Sequence, residues 1–144
     1  MAAAWRSCGG CALTPMRHPL AATTPADFWR RWNRPTQQFL HEYIYRPLGG
    51  RRAPVAATLA TFVVSGLIHE GLFDLCAGRI AGWQIAYFTL HGVAAAATAN
   101  VRPRGPVQRG VWTVATLAFG FATTLLLGAT LNDIVPFYSP RPSR

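Results

Sequence analysis

Between Ala53 and Phe73 the sequence reads APVAATLATFVVSGLIHEGLF, a run with no ionisable side chain until His69 and Glu70 near its far end. The basic turn Gly49-Gly50-Arg51-Arg52 precedes it, and Asp74 follows. Crossing a bilayer takes ~20 predominantly apolar residues, so this run is long enough to span. An ionisable group at membrane depth costs ~2.5–3.5 kcal/mol or more and is normally kept for a task. The same two residues need no such explanation if they reach the far interface and meet water. Position alone leaves the two readings level.

The rest of the composition agrees with a membrane chain. Of 144 residues, 51% are hydrophobic and 13% are charged, against ~25% charged in ordinary soluble domains. Two further apolar runs, Ile80–Ala99 and Val111–Leu131, carry no charged side chain. The predicted fold class is therefore all-α: an integral membrane protein with about three transmembrane helices, at about 53–73, 80–99 and 111–131. An interfacial amphipathic segment over 23–52 precedes the 53–135 membrane region. Residues 1–22 are expected to be a disordered leader, because Arg6 leads into Ser-Cys-Gly-Gly-Cys and not into the apolar core of a signal peptide. Residues 136–144 form a tail.

All 14 basic residues are arginine, and the net charge is +9. The arginines sit in the links between apolar runs and at the ends, as the positive-inside rule distributes cations. That distribution argues against nucleic acid as a partner, and no nucleic-acid-binding module accompanies it. Arg30, Arg31, Arg34, Arg46, Arg51 and Arg52 precede the first run, Arg102, Arg104 and Arg109 follow the second, and only Arg79 joins the first two. The expected orientation has the amino-terminal segment in the cytoplasm and the carboxyl terminus outside, in a bacterial inner membrane. No metal site is expected: Cys8 and Cys11 form one Cys-x-x-Cys pair with no second pair to complete a zinc centre.

Ahead of the first run, Thr24-Pro25-Ala26-Asp27 is a helix start, with Thr24 as cap, Pro25 at the first helical position and Asp27 closing a capping box. Phe28 and Trp32 share one face of the helix that follows, with Trp29 beside them. Pro35 redirects the chain at Asn33-Arg34. A second amphipathic helix over Thr36–Tyr45 groups Phe39, Leu40, Tyr43 and Ile44, and Arg46-Pro47-Leu48-Gly49-Gly50 ends it. Aromatic, arginine-flanked helices of this kind lie in the membrane interface.

Three of these stretches, FWRRWNRP over 28–35, YRPL over 45–48 and SGLIHE over 65–70, resemble the carboxy-terminal part of the membrane-bound O-acyltransferase (MBOAT) superfamily. Their order and spacing are closest to the diacylglycerol and sterol O-acyltransferase and wax-ester synthase branch, over roughly residues 17–135. The resemblance implies transfer of an acyl group from acyl-coenzyme A, as co-substrate and with no bound cofactor, to a lipid-type hydroxyl. The product would be a wax ester, an acylglycerol or a sterol ester. It also implies His69 as the catalytic residue, with Asn33 lining the same chamber. A family glutamine maps to Gln84, which together with Trp32 and Glu70 makes up the expected substrate-binding set. Partners are then membrane lipids, acyl-coenzyme A and a lipid alcohol, with a homo-oligomer or missing amino-terminal helices completing the assembly. Family members usually run to several hundred residues, so the chain reads as a fragment. The alternative from another class is a non-catalytic truncated membrane protein, a remnant that needs partner helices.

The residues themselves fit the chemistry unevenly. Burial disfavours imidazolium, so a membrane-embedded His69 would be neutral and able to take a proton. Glu70 points ~100° round the helix from His69, better placed to orient neighbours than to meet substrate. Ser65 lies one turn before His69, but no nucleophile elbow surrounds it. Gln84 and His91 share one helix face, where polar groups commonly join helices. Arg46, Arg51 and Arg52 could meet coenzyme A phosphates, although the positive-inside rule accounts for them without a ligand.

Overall fold

The computed structural model describes residues 14–77 and 81–134. A short 3-10 turn at Pro19–Ala21 leads into α1 (Pro25–Arg31), α2 (Arg34–Leu40), α3 (Pro54–Ala77), α4 (Trp83–Thr98) and α5 (Gly105–Ile134). The helix start read from the sequence forms as expected. Thr24 Oγ1 accepts the backbone N–H of Asp27 at 3.1 Å, and the Asp27 carboxylate accepts the N–H of Thr23 at 3.2 Å. The reciprocal bond thus falls one residue before the cap: Thr24 satisfies one donor that the helix leaves open, and Asp27 ties down the residue ahead of the cap.

Trp32 is extended and Asn33 is left-handed, with φ 39°. Asparagine tolerates that conformation better than other residues with a Cβ. Pro35 then sits in the first turn of α2, where its missing N–H costs nothing. The second helix begins at Arg34, two residues before the expected start, and continues as a π-helical turn over His41–Tyr45. Gly49 and Gly50 close the turn with φ 103° and 49°, conformations that glycine enters without steric cost.

Helices α3 and α4 form a close antiparallel pair, and two glycines permit it. A Cβ on Gly66 would stand 3.0 Å from the Cα of Ile85, and one on Gly92 would stand 2.7 Å from the Cβ of Phe62. Lipid gives helices little hydrophobic reason to associate, so dispersion between closely approaching backbones has to hold them. Phe62, Phe88 and Ala95 form the small core there, with Trp29 and Tyr87 packed against it.

Among the described residues, two helices are long and apolar enough to cross a membrane, at Pro54–Phe73 and Gly105–Ala129. The middle helix is shorter than the apolar run that predicts it. Gly82, left-handed at φ 80°, starts α4, and its 16 residues end at Thr98, giving ~24 Å against a hydrocarbon core of ~30 Å. The outer faces are apolar: Val55, Leu67 and Leu72 of α3 and Val114, Phe121 and Leu125 of α5 are exposed. Hydrocarbon tolerates such faces, whereas water would drive them together. The molecule is an all-α membrane protein.

The first helix of the amphipathic segment packs against the protein: α1 is docked on α4 at two points. Thr98 Oγ1 accepts the N–H of Ala26 at 3.2 Å, and the Trp29 indole donates to His91 Nδ1 at 3.0 Å. Trp29 therefore faces the protein. Phe39 and Tyr43 of the second helix, by contrast, are exposed, with ring centres 4.9 Å apart and the rings tilted by 39°. The Cys8–Cys11 pair and the 136–144 tail lie outside the described residues.

Candidate active site

The stretch Ser65-Gly66-Leu67-Ile68-His69-Glu70 has a separate structural task for four of its residues. One helical turn separates Ser65 from His69, and the His69 Nδ1 lies 2.7 Å from the Ser65 carbonyl oxygen. A carbonyl only accepts, so Nδ1 carries the hydrogen, and the tautomer this selects is the one whose Nε2 holds the free lone pair. The backbone carbonyl thus fixes both the ring's direction and its tautomer. The imidazole is half-buried and lies against Phe88 of α4, with ring centres 4.3 Å apart. Gly66 is what lets α4 approach closely enough to make that wall.

Glu70 is 4% exposed. Its carboxylate accepts the backbone N–H groups of Gly82 at 2.6 Å, Gln84 at 2.8 Å, Ile85 at 3.2 Å and Ala81 at 3.3 Å. Gly82, the residue at the cap position, has no side chain with which to do this. An anion at a helix amino terminus meets both the open donors and the positive end of the dipole. Glu70 is thus the cap of α4, contributed by α3. This fits its expected role of orienting neighbours and leaves its oxygens engaged by backbone, not open to substrate.

Gln84 is 1% exposed at the first turn of α4. It lies beside the Glu70 carboxylate and close to Gly66, so the structure does bring His69, Glu70 and Gln84 into one small region. Asn33 and Trp32 stand apart from it. Asn33 is exposed at the corner between α1 and α2, and Trp32 is exposed and stacked on Phe28 at 5.6 Å. Among the described residues no hydrogen bond or ring contact joins either to His69. The link between α1 and the site runs instead through Trp29, 5.9 Å from Phe88, the ring that packs against His69.

Phe88 and Trp29 are the site residues that sequence reasoning missed as such. Phe88 lies one turn beyond Gln84, and that spacing is the only local signal for it. The polar face of α4 has a structural explanation. With the Trp29 indole donating to Nδ1, His91 is neutral and carries its hydrogen on Nε2, which lies 2.8 Å from Thr123 Oγ1. Thr123 in turn donates to the carbonyls of Phe119 and Gly120, at 2.9 and 3.0 Å. His91 is therefore the buried junction of α1, α4 and α5, and both its nitrogens are engaged.

Residues 10–128 match the membrane-bound O-acyltransferase family. Over 94% of its length the chain is 32% identical to probable long-chain-alcohol O-fatty-acyltransferase 6 of Arabidopsis thaliana, covering 40% of that protein. It is 33% identical to acyl-CoA–sterol O-acyltransferase 1 of the same plant, over 88% of this chain and 41% of the relative. A bacterial relative, the peptidoglycan O-acetyltransferase of Helicobacter pylori, is 36% identical over 53% of this chain and 14% of its own. The chain thus spans about two fifths of the plant relatives it matches. No solved structure is significantly similar to it. The chain belongs to the membrane-bound O-acyltransferase family.

Proposed function

We propose that this chain carries the catalytic histidine of an acyltransferase that moves an acyl group from acyl-coenzyme A to the hydroxyl of a lipid-type alcohol. The observation that carries the reading is the clamp of His69 Nδ1 on the Ser65 carbonyl, which leaves Nε2 as a proton acceptor beside an apolar wall. In the proposed step Nε2 takes the hydroxyl proton as the alcohol oxygen attacks the thioester carbonyl. The new C–O bond forms, the C–S bond breaks, and the departing thiolate recovers the proton from the imidazolium. The acceptor belongs to the class of long-chain alcohols and sterols in the names of the plant relatives. Asn33 positions the reactants from the α1–α2 corner, Trp32 and Gln84 line the substrate path, and Glu70 supports the site by capping α4.

The topology follows the arginines, with the amino-terminal segment cytoplasmic, the carboxyl terminus outside, and a bacterial inner membrane as the setting. His69 lies ~22 Å along α3 from Pro54, so the thioester has to be drawn well into the protein from the cytoplasmic side. Further helices, from a longer polypeptide or a second copy, would cover the apolar faces of α3 and α5 and complete the chamber.

The test grafts residues 24–135 into a full-length relative and measures ester formation at matched protein level. His69→Ala should lower turnover by ~10²–10⁴-fold, the range of general-base help. Asn33→Ala should lower it less, because the base is retained. Near-wild-type transfer by His69→Ala would defeat the assignment and favour a non-catalytic chain.

A further inference from the structure

On the face of the molecule that holds the α1–α2 corner, two stretches of backbone are pinned side by side. The N–H of Arg17 donates to the carbonyl of Arg31 at 3.0 Å, and the N–H of Arg34 donates to the carbonyl of Pro15 at 2.9 Å. This reciprocal pair brings Arg17 next to Arg30, Arg31 and Arg34 around a cleft of about 440 Å³, where Asp27 is the only acidic residue of the lining among the described residues. Asp27 is already engaged, 3.0 Å from Arg31 and 3.7 Å from Arg30. Burial alone would raise its pKa. The hydrogen bonds from Arg31 and the Thr23 N–H, with the charge of both arginines, hold it below the usual carboxylate value. It is therefore ionised and offsets one cation. Four guanidinium groups against one carboxylate leave a surplus of three positive charges around a single cleft. Neither Arg17 nor Arg34 makes an ion pair among the described residues.

Retention of cations on one side of a membrane does not require that they converge, because any spread of arginines over the surface would serve. Convergence on a fixed backbone raises their mutual repulsion, which an anion in the cleft would relieve. Planar guanidinium forks match phosphate oxygens in pairs. The neighbouring aromatic pair Phe28–Trp32 suits a location at headgroup depth.

We propose that Arg17 and Arg34, with Arg30 and Arg31 beside them, form a binding site for a phosphomonoester, a group of charge up to −2 that a surplus of three cations can hold. Two sources carry that chemistry at a membrane surface: the headgroup of a phosphatidic-acid-type lipid and the 3′-phosphate of coenzyme A. The site does not depend on the role of His69, since its readout is binding and no acyl transfer has to occur.

The experiment titrates the purified chain, in a non-ionic detergent at low ionic strength, with dihexanoyl phosphatidic acid and separately with free coenzyme A. The affinity is compared among the wild type, Arg17→Gln with Arg34→Gln, Arg17→Lys with Arg34→Lys, and Arg104→Gln with Arg109→Gln. Glutamine keeps the two backbone N–H donors that pin the cleft, and matched helicity and melting temperature check that it does. The glutamine pair at 17 and 34 should weaken at least one probe by about tenfold. The lysine pair should retain part of the affinity, because charge survives while the fork is lost. The pair at 104 and 109 removes equal charge away from the cleft and should change affinity by less than about twofold. Loss confined to the lipid identifies a headgroup site, loss confined to coenzyme A a soluble-ligand site, and loss of both a general phosphomonoester anchor. The proposal is overturned if the wild type binds neither probe, or if the pair at 104 and 109 weakens binding as much as the pair at 17 and 34.

Discussion

At the scale of single residues, the Ser65–His69 turn separates two chemistries that share the same pair of side chains. A serine nucleophile would present its hydroxyl to the imidazole, but it is the Ser65 carbonyl that holds the ring. Ser65→Ala leaves that carbonyl in place, and the grafted enzyme should keep at least about half its ester-forming rate. A loss as large as that of His69→Ala would revive the nucleophile. His91 leads to the opposite expectation. It looks like a convenient control for the loss of an imidazole elsewhere, with most activity kept after His91→Ala. The structure overturns that choice, because truncation would strip partners from both Trp29 and Thr123 inside the protein. Each buried polar group left without a partner costs about 1–3 kcal/mol, so His91→Ala should lower the melting temperature in detergent measurably. His91→Gln, which can still accept and donate, should recover part of it. His41, exposed and stacked on Tyr45, is the sounder control.

At the scale of elements, the α3–α4 pair is closed at one end by charge and along its length by glycine. Glu70→Gln keeps the size of the side chain but replaces one acceptor oxygen with an NH₂ group that must face backbone donors. Amide hydrogen exchange at Gly82, Gln84 and Ile85 should then accelerate by about tenfold or more, while Glu70→Asp should fall between the two. Unchanged protection in Glu70→Gln would mean that the carboxylate is not what caps the helix. The docking of α1 on α4 changes another expectation at this scale. With Trp29 turned into the protein, its fluorescence should respond weakly to shallow lipid-attached quenchers, whereas exposed Trp32 should respond strongly. The comparison requires single-tryptophan variants.

At the scale of the whole molecule, the arginine-rich links set the proposed orientation. In a cysteine-free background, single cysteines at Arg52 and Gln108 should be shielded from an impermeant reagent in intact cells, and one at Ser143 should label. Labelling at 52 with protection at 143 would invert the topology. Much of the architecture was legible from the chain alone. The length and purity of the apolar runs announce the two long helices, since a bilayer accepts only backbone that satisfies its own hydrogen bonds. Thr24-Pro25-Ala26-Asp27 announces the start of α1, because capping is settled within a few residues. The ordered motifs announce the family, and His69 is proposed from them. Tertiary structure alone decided the rest. Nothing local tells Glu70 that its carboxylate will close a helix beginning 13 residues later at Trp83, or Trp29 that His91 awaits it. The shortness of α4 and the wall that Phe88 sets against His69 are likewise products of packing. Apolar periodicity and capping depend on neighbours in sequence, whereas these contacts depend on how closely two backbones approach, which Gly66 and Gly92 permit and only the folded pair makes visible.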